Sequence, residues 1–285
     1  MRIANLNGRA ALVAERALDV ATASDGRFGP DPSSIYAEWA AFRDWASQID
    51  VDADPAAQPF TPDDLGAPVP APQQVFAIGL NYADHANETS MALPQEPLVF
   101  TKWQSALAGP ETTVRLSGDR VDWEAELVVV IGTGGRDLPA SWDAVAGLTV
   151  GQDLSDRTVQ NRGDRPQFGM GKSFAGYAPT GPAVVTLDEI RAAHDLDALE
   201  IGCSVADGDV ERVLQDGTTA DMVFAVPELV ARLSAIVELR PGDLVFTGTP
   251  AGVGLGRKPP EFLRPGQILT TTIEGLGSIR QTFVA

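Results

Sequence analysis

Short apolar runs separated by turn residues dominate this chain, and few of them repeat at helical spacing. Near the start, Arg2 to Leu6, Ala10 to Ala14 and Ala17 to Ala21 alternate with turns such as Asn7-Gly8, which predicts a small meander. Ser33 and Ser34 then offer N-caps for a helix carrying Ile35, Trp39, Phe42, Ala46 and Ile49 on one face. Residues 51–74 hold Pro55, Pro59, Pro62, Pro68, Pro70 and Pro72, a composition that predicts a linker. The expected division is a small N-terminal domain plus linker over 1–72 and a larger domain over 73–285.

Strands are predicted at Val75–Gly79, Leu98–Lys102, Val121–Ile131, Leu148–Leu154, Pro182–Leu187 and Leu199–Ala206, and then at Asp243–Gly248, Gln267–Glu274 and Ser278–Val284. A short helix follows its cap at Ser141, and another from Val226 to Leu239 stops at Pro241-Gly242. Many strands with few, short helices predict a β-rich, mixed α+β fold.

The strand through Val121-Asp-Trp-Glu-Ala-Glu-Leu-Val-Val-Val-Ile131 carries the first chemistry. Period-two alternation puts Glu124 and Glu126 on one face with Val128 and Val130, and Trp123, Ala125, Leu127 and Val129 on the other. Two unpaired carboxylates on an apolar strand are costly to bury, and a hard divalent cation removes that cost. The alternative is an edge strand with a solvated acidic face. Asp153, at the end of the Leu148–Leu154 strand, would complete an all-oxygen site suited to Mg²⁺, Mn²⁺ or Ca²⁺. Zinc is disfavoured, because the chain has only two histidines and one cysteine.

Charge narrows the partners. Lys plus Arg number 21 against 39 Asp plus Glu, a formal charge of -18, so nucleic acid and anionic membranes are excluded as expected partners. An anionic substrate must then be met by a local basic cluster or a cation. The single cysteine, Cys203, fits a reducing compartment and reads as core filler. The N-terminus lacks a signal-peptide apolar region and no run is long enough to span a bilayer, so the cytoplasm is expected.

His85 and Glu88, spaced i, i+3, would meet on a helical turn, where the carboxylate orients the imidazole as a general base. The alternative is a surface pair. Lys172 lies in Gly169-Met-Gly-Lys-Ser173, which fails the P-loop pattern because Pro166 stands where its first glycine belongs. A lysine between small residues can still reach a developing anion. In Gly248-Thr-Pro-Ala-Gly-Val-Gly-Leu-Gly256, Pro259-Pro260 rules out the helix of a dinucleotide site, leaving a loop that brings Thr249 toward a ligand. His194 reads as a surface residue.

Leu80-Asn-Tyr-Ala-Asp-His-Ala-Asn-Glu88, Asp122-Trp-Glu-Ala-Glu-Leu127, Gln152-Asp-Leu-Ser-Asp-Arg157, Gly171-Lys-Ser-Phe174, Gln215-Asp-Gly-Thr-Thr-Ala-Asp-Met222 and Thr247-Gly-Thr-Pro-Ala-Gly-Val-Gly254 occur in the order seen in the fumarylacetoacetate hydrolase family. The resemblance covers roughly residues 73 to 285. It implies that family's β-sandwich roll, a homodimer, and a catalytic Mg²⁺ or Mn²⁺. By the same resemblance Glu124, Glu126 and Asp153 are metal ligands, and His85 and Glu88 a water-activating dyad on a lid. Arg157, Gln160, Lys172 and Thr249 resemble the residues that hold the substrate's carboxylate and oxo groups. Ala175 stands where Asp is frequent in the family, and Gln-Asp-Leu-Ser-Asp-Arg replaces the usual Asn-Asp-Val-Ser-Ala-Arg, departures that bear on substrate range.

The expected reaction is hydrolysis of the C3–C4 bond of a 2,4-dioxo acid to pyruvate and a second carboxylic acid. Water would be activated by His85 and Glu88, with the enolate charge met by the metal and Lys172. The small polar set Arg157, Gln160 and Thr249 suits a compact anionic diketo acid, and the resemblance extends to hydrolases of 2,4-dioxo-3-deoxy sugar acids such as the rhamnonate derivative. The alternatives are oxaloacetate decarboxylation or dioxo-acid isomerisation on the same metal site. A non-catalytic binding protein would predict a lost ligand or dyad, and none is missing.

Overall fold

The computed structural model describes residues 1–84 and 93–285. In chain order the strands are β1 (Arg2–Leu6), β2 (Arg9–Val13), β3 (Ala17–Asp19), β4 (Leu65–Gly66), β5 (Val75–Gly79), β6 (Leu98–Thr101), β7 (Leu107–Ala108), β8 (Glu111–Arg115) and β9 (Val121–Asp122). They continue with β10 (Ala125–Ile131), β11 (Val145–Gln152), β12 (Ser155–Asp156), β13 (Ala178–Thr186), β14 (Glu200–Asp207), β15 (Val210–Thr218), β16 (Leu244–Phe246), β17 (Ile268–Ile273) and β18 (Gly277–Val284). One large sheet runs β3-β2-β1-β13-β11-β10-β16-β5-β6, with β4 on β1 and β7 on β13; a second runs β15-β14-β17-β18-β8. The expected β-rich mixed fold is the one observed.

β10 lies inside the large sheet, antiparallel to both β11 and β16, and every one of its residues is buried. Its alternation explains why. Leu127, Val129 and Ile131 face the second sheet, packing into a core with Ile201, Leu269 and Phe283, while Val128 and Val130 face a second core with Tyr36, Phe42 and Phe246. A strand covered on both faces has no solvated acidic side, so the edge-strand alternative is excluded. The predicted strand also breaks at Trp123-Glu124, between β9 and β10.

The meander of β1–β3 joins the large sheet through β1, whose Arg2 pairs with Val185 of β13. The proline-rich stretch crosses this edge, where Gln58 and Ala17 exchange two backbone hydrogen bonds of 2.8 Å. The predicted helix over Ile35 to Ile49 is shorter: a tight turn at Ser34–Glu38 leads into an α-helix at Trp39–Ala46. Its aromatic face packs Phe42 edge-on to Phe28, with ring centroids 5.3 Å apart. β8 and β15 were not predicted. β15 is mostly exposed and rich in charge, so its sequence lacks a clear apolar alternation; its partner β14 fixes it, through a turn at Gly208 with φ of 61°.

Candidate active site

Side chains reinforce the strand ladder at the start of β10, where Ala125 pairs with Gln152 of β11. Trp123 N donates to Asp122 Oδ1, Glu124 N to Gln152 Oε1, and Ala125 N to Gln215 Oε1, each at 2.8 to 2.9 Å. This lacing fixes the backbone that presents Glu124 and Glu126. Asp153 follows β11 directly, and its N–H donates to Glu124 O at 2.9 Å. As a result one carboxylate oxygen from each of Glu124, Glu126 and Asp153 lies within 4.8 Å of the others, with all three residues buried.

Cations brace two of the three. Lys172 Nζ donates to Glu124 Oε2 and Asp153 Oδ2, both at 2.7 Å. Arg157 spends one guanidinium nitrogen on Glu124 Oε1 at 2.7 Å, a second on Asp122 Oδ2 at 2.8 Å and the third on Gln160 Oε1 at 2.9 Å. Lys102, fully buried, donates to Asp153 Oδ1 and to the Lys172 carbonyl. Glu126 differs: its Oε2 accepts the Gly248 N–H at 2.9 Å, and among the described residues no ammonium or guanidinium lies at ion-pair distance.

The titration tendencies follow from this arrangement. Burial, then Asp153 and Glu124, hold the Glu126 carboxyl well above the ordinary carboxylate range. Burial also pulls the Lys102 ammonium down against the attraction of Asp153. For Lys172 burial acts in the same direction, but Asp153 and Glu124 outweigh it and leave that ammonium raised. A buried carboxylate that repels two neighbours and has no cation of its own is what an oxygen-ligated divalent ion relieves. The donor set therefore fits Mg²⁺, Mn²⁺ or Ca²⁺, held by Glu124, Glu126 and Asp153.

Beside the triad is a cavity of about 90 Å³, bounded on its polar side by Glu124, Arg157, Gln160, Lys172 and Thr249. Ile78, Phe100, Phe168, Val253 and Leu255 form an apolar wall, and Phe100 meets Phe168 edge-on at 5.5 Å. The glycine-rich loop delivers Thr249 because Asp122 accepts from Gly254 N at 2.7 Å and Leu255 N at 2.9 Å, tying the loop to Arg157.

The structure thus brings together seven sequence-predicted residues: Glu124, Glu126, Asp153, Arg157, Gln160, Lys172 and Thr249. His85 and Glu88 lie outside the described residues. His194 is remote in role: it is half-buried, with Nδ1 2.9 Å from Glu274. Cys203 is buried between the sheets with burial raising its thiol. Sequence reasoning did not single out Lys102, which ends an apolar strand and whose only signal was a charge at that position. It also gave no role to Asp122, Gln152 and Gln215, although all three lie in the quoted motifs.

With this geometry in place, the likeness to known proteins is informative. A family model described as fumarylacetoacetate (FAA) hydrolase C-terminal matches residues 74–284. The human mitochondrial protein named oxaloacetate tautomerase FAHD2A is 44% identical over 218 residues, covering 75% of this chain and 67% of its own. A Mycobacterium smegmatis protein provisionally described as HpcE has 48% identity and a TM-score of 0.92, covering 100% of this chain and 99% of its own. Maleylpyruvate hydrolase from Sphingobium has 26% identity and a TM-score of 0.78, with 100% and 99% covered. No helix among the described residues is long and apolar enough to cross a membrane. The chain belongs to the fumarylacetoacetate hydrolase family.

Proposed function

We propose that this chain interconverts the keto and enol forms of a small 2-oxo acid, with oxaloacetate as the type substrate, on a divalent cation. The reaction moves one proton from C3 to the 2-oxo oxygen and consumes no water. The observation that carries this reading is the buried triad of Glu124, Glu126 and Asp153, which reaches a small cavity through Glu124. When bound there, the cation supplies Lewis acidity to the oxygens of the 2-oxo acid.

The chain's own residues bind the substrate, orient it and meet its developing charge. Lys172, fixed by two carboxylates, presents a positive charge where negative charge builds on the substrate oxygen. Gln160, fixed by Arg157, and Thr249 orient the carboxylate. The apolar wall of Ile78, Phe100 and Phe168 limits water at C3. Sequence identity of 44% to a protein named for this activity supports the choice of reaction.

C3–C4 hydrolysis of an acylpyruvate or 2,4-dioxo sugar acid is the second reading. It is favoured by the i, i+3 spacing of His85 and Glu88 and by the likeness to maleylpyruvate hydrolase. The two separate by product analysis with Mg²⁺ on oxaloacetate, a simple acylpyruvate and a 2,4-dioxo-3-deoxy sugar acid, with an EDTA control. Faster enol–keto equilibration of oxaloacetate, lost with EDTA and without released carbon dioxide, supports tautomerisation. Pyruvate plus a second carboxylic acid from either diketo acid moves the chain to the hydrolases. Carbon dioxide from oxaloacetate moves it to the decarboxylases. A homodimer and cytoplasmic residence remain part of this proposal.

A further inference from the structure

The Gln215 motif has no role in the reaction above, yet its side chain is almost wholly buried and all its hydrogen-bonding capacity is used. Gln215 Oε1 accepts from Ala125 N at 2.8 Å, which fixes which end of the amide is oxygen. The other end, Nε2, then donates one hydrogen to Pro250 O at 2.8 Å and the second to Thr249 Oγ1 at 2.7 Å. A hydroxyl has one hydrogen and can accept through its lone pairs. With Gln215 Nε2 donating to it, the Thr249 oxygen acts there as acceptor, so its own hydrogen must point elsewhere. Among the described residues it has no acceptor, and Thr249 lines the cavity.

We propose that Gln215 is a positioning residue that makes Thr249 an obligate hydrogen-bond donor to the substrate carboxylate. The inference rests on the 2-oxo acid reading of the cavity. The setting is rigid. A Cβ on Gly252 would meet Leu214 O at 2.3 Å, and one on Gly202 would meet Gln215 O at 2.4 Å, so glycine on both sides lets the backbone close around Gln215. The same side chain also holds β10 between Glu124 and Glu126, so the donor is set in register with the acidic triad.

Gln215→Glu tests this with little change of shape. One carboxyl oxygen still accepts from Ala125 N, but the group has at most one hydrogen for two acceptors, Thr249 and Pro250. The Thr249 hydroxyl then turns toward residue 215 and away from the cavity. Oxalate with Mg²⁺, a rigid mimic of a 2-oxo carboxylate, is the probe for calorimetry, and Mn²⁺ affinity is measured without it. Q215E and T249V should each weaken oxalate by about ten- to hundred-fold, the range for one hydrogen bond to a charged group. The double variant should bind no more weakly than either single one, T249S should bind like wild type, and Mn²⁺ affinity should hold throughout. Additive losses, or loss of Mn²⁺ affinity in Q215E, would make Gln215 a scaffold residue and overturn the proposal. If Q215E does not fold, wild-type-like oxalate binding by T249V overturns it alone. A wild type that binds no oxalate overturns the 2-oxo acid reading, and this inference with it.

Discussion

The ammonium of Lys102 and the carboxylate of Asp153 form an ion pair from which solvent is wholly excluded. Lys172 holds the other oxygen of the same carboxylate at 2.7 Å, so both sides of Asp153 are neutralised by the protein itself. Lys102→Met leaves that carboxylate half compensated. Breaking one side of a buried pair costs about 3–5 kcal/mol, which urea denaturation in EDTA should detect. Saturating Mg²⁺ should narrow the deficit. An unfolding midpoint equal to wild type in EDTA would refute the structural weight given to Lys102.

Lys172→Met separates catalysis from metal capture. Its ammonium braces two of the triad carboxylates and borders the cavity. Turnover should fall by about 10²–10³, the usual loss for one preorganised donor. Mn²⁺ affinity should persist, because every oxygen ligand remains. Loss of Mn²⁺ binding with proportionate loss of turnover would assign Lys172 to the metal site only.

Glu126→Gln should abolish Mn²⁺ binding and at the same time stabilise the metal-free chain. The Glu126 carboxyl is raised above its ordinary value of 4.5 by burial, then by Asp153 and Glu124. In the unfolded chain it gives up its proton earlier than in the fold, so stability falls as pH climbs above the ordinary value toward the raised one. The advantage of the Gln variant in EDTA should be largest at pH 8 and vanish near pH 4. A destabilised variant at pH 8 in EDTA would contradict the placement of that charge.

Cys203 should resist iodoacetamide at pH 8 in the folded protein and react once unfolded. Burial raises its thiol, and the thiolate is the reactive form. Prompt stoichiometric labelling of the native chain would place the thiol somewhere other than between the sheets.

Local chemistry was legible in the sequence where it depended on local spacing. Alternation alone put Glu126 on the face of Val128 and Val130, and that is the division of the two cores. Asp153 stood out because a strand ends there. Lys102 was not legible, because its contact with Asp153 spans 51 residues and no pattern in Leu98 to Lys102 points to it. Arg157 borders the cavity, but its bonds to Asp122, Glu124 and Gln160 were not legible, because the two acids lie more than thirty residues away in sequence. The helix from Ile35 was overextended, because apolar spacing does not show where a tight turn ends and an α-helix begins.

The lacing of the triad by its neighbours also fixes an electrostatic balance. Asp122, Glu124, Glu126 and Asp153 are buried together with Lys102, Arg157 and Lys172, four acids against three bases. With every group ionised this interior carries one net negative charge, and a divalent ion turns that into one net positive charge. A singly charged carboxylate ligand returns it to zero. Electroneutrality in a water-poor interior therefore makes the ion and the ligand mutual co-ligands: each should raise the affinity of the other by the same factor.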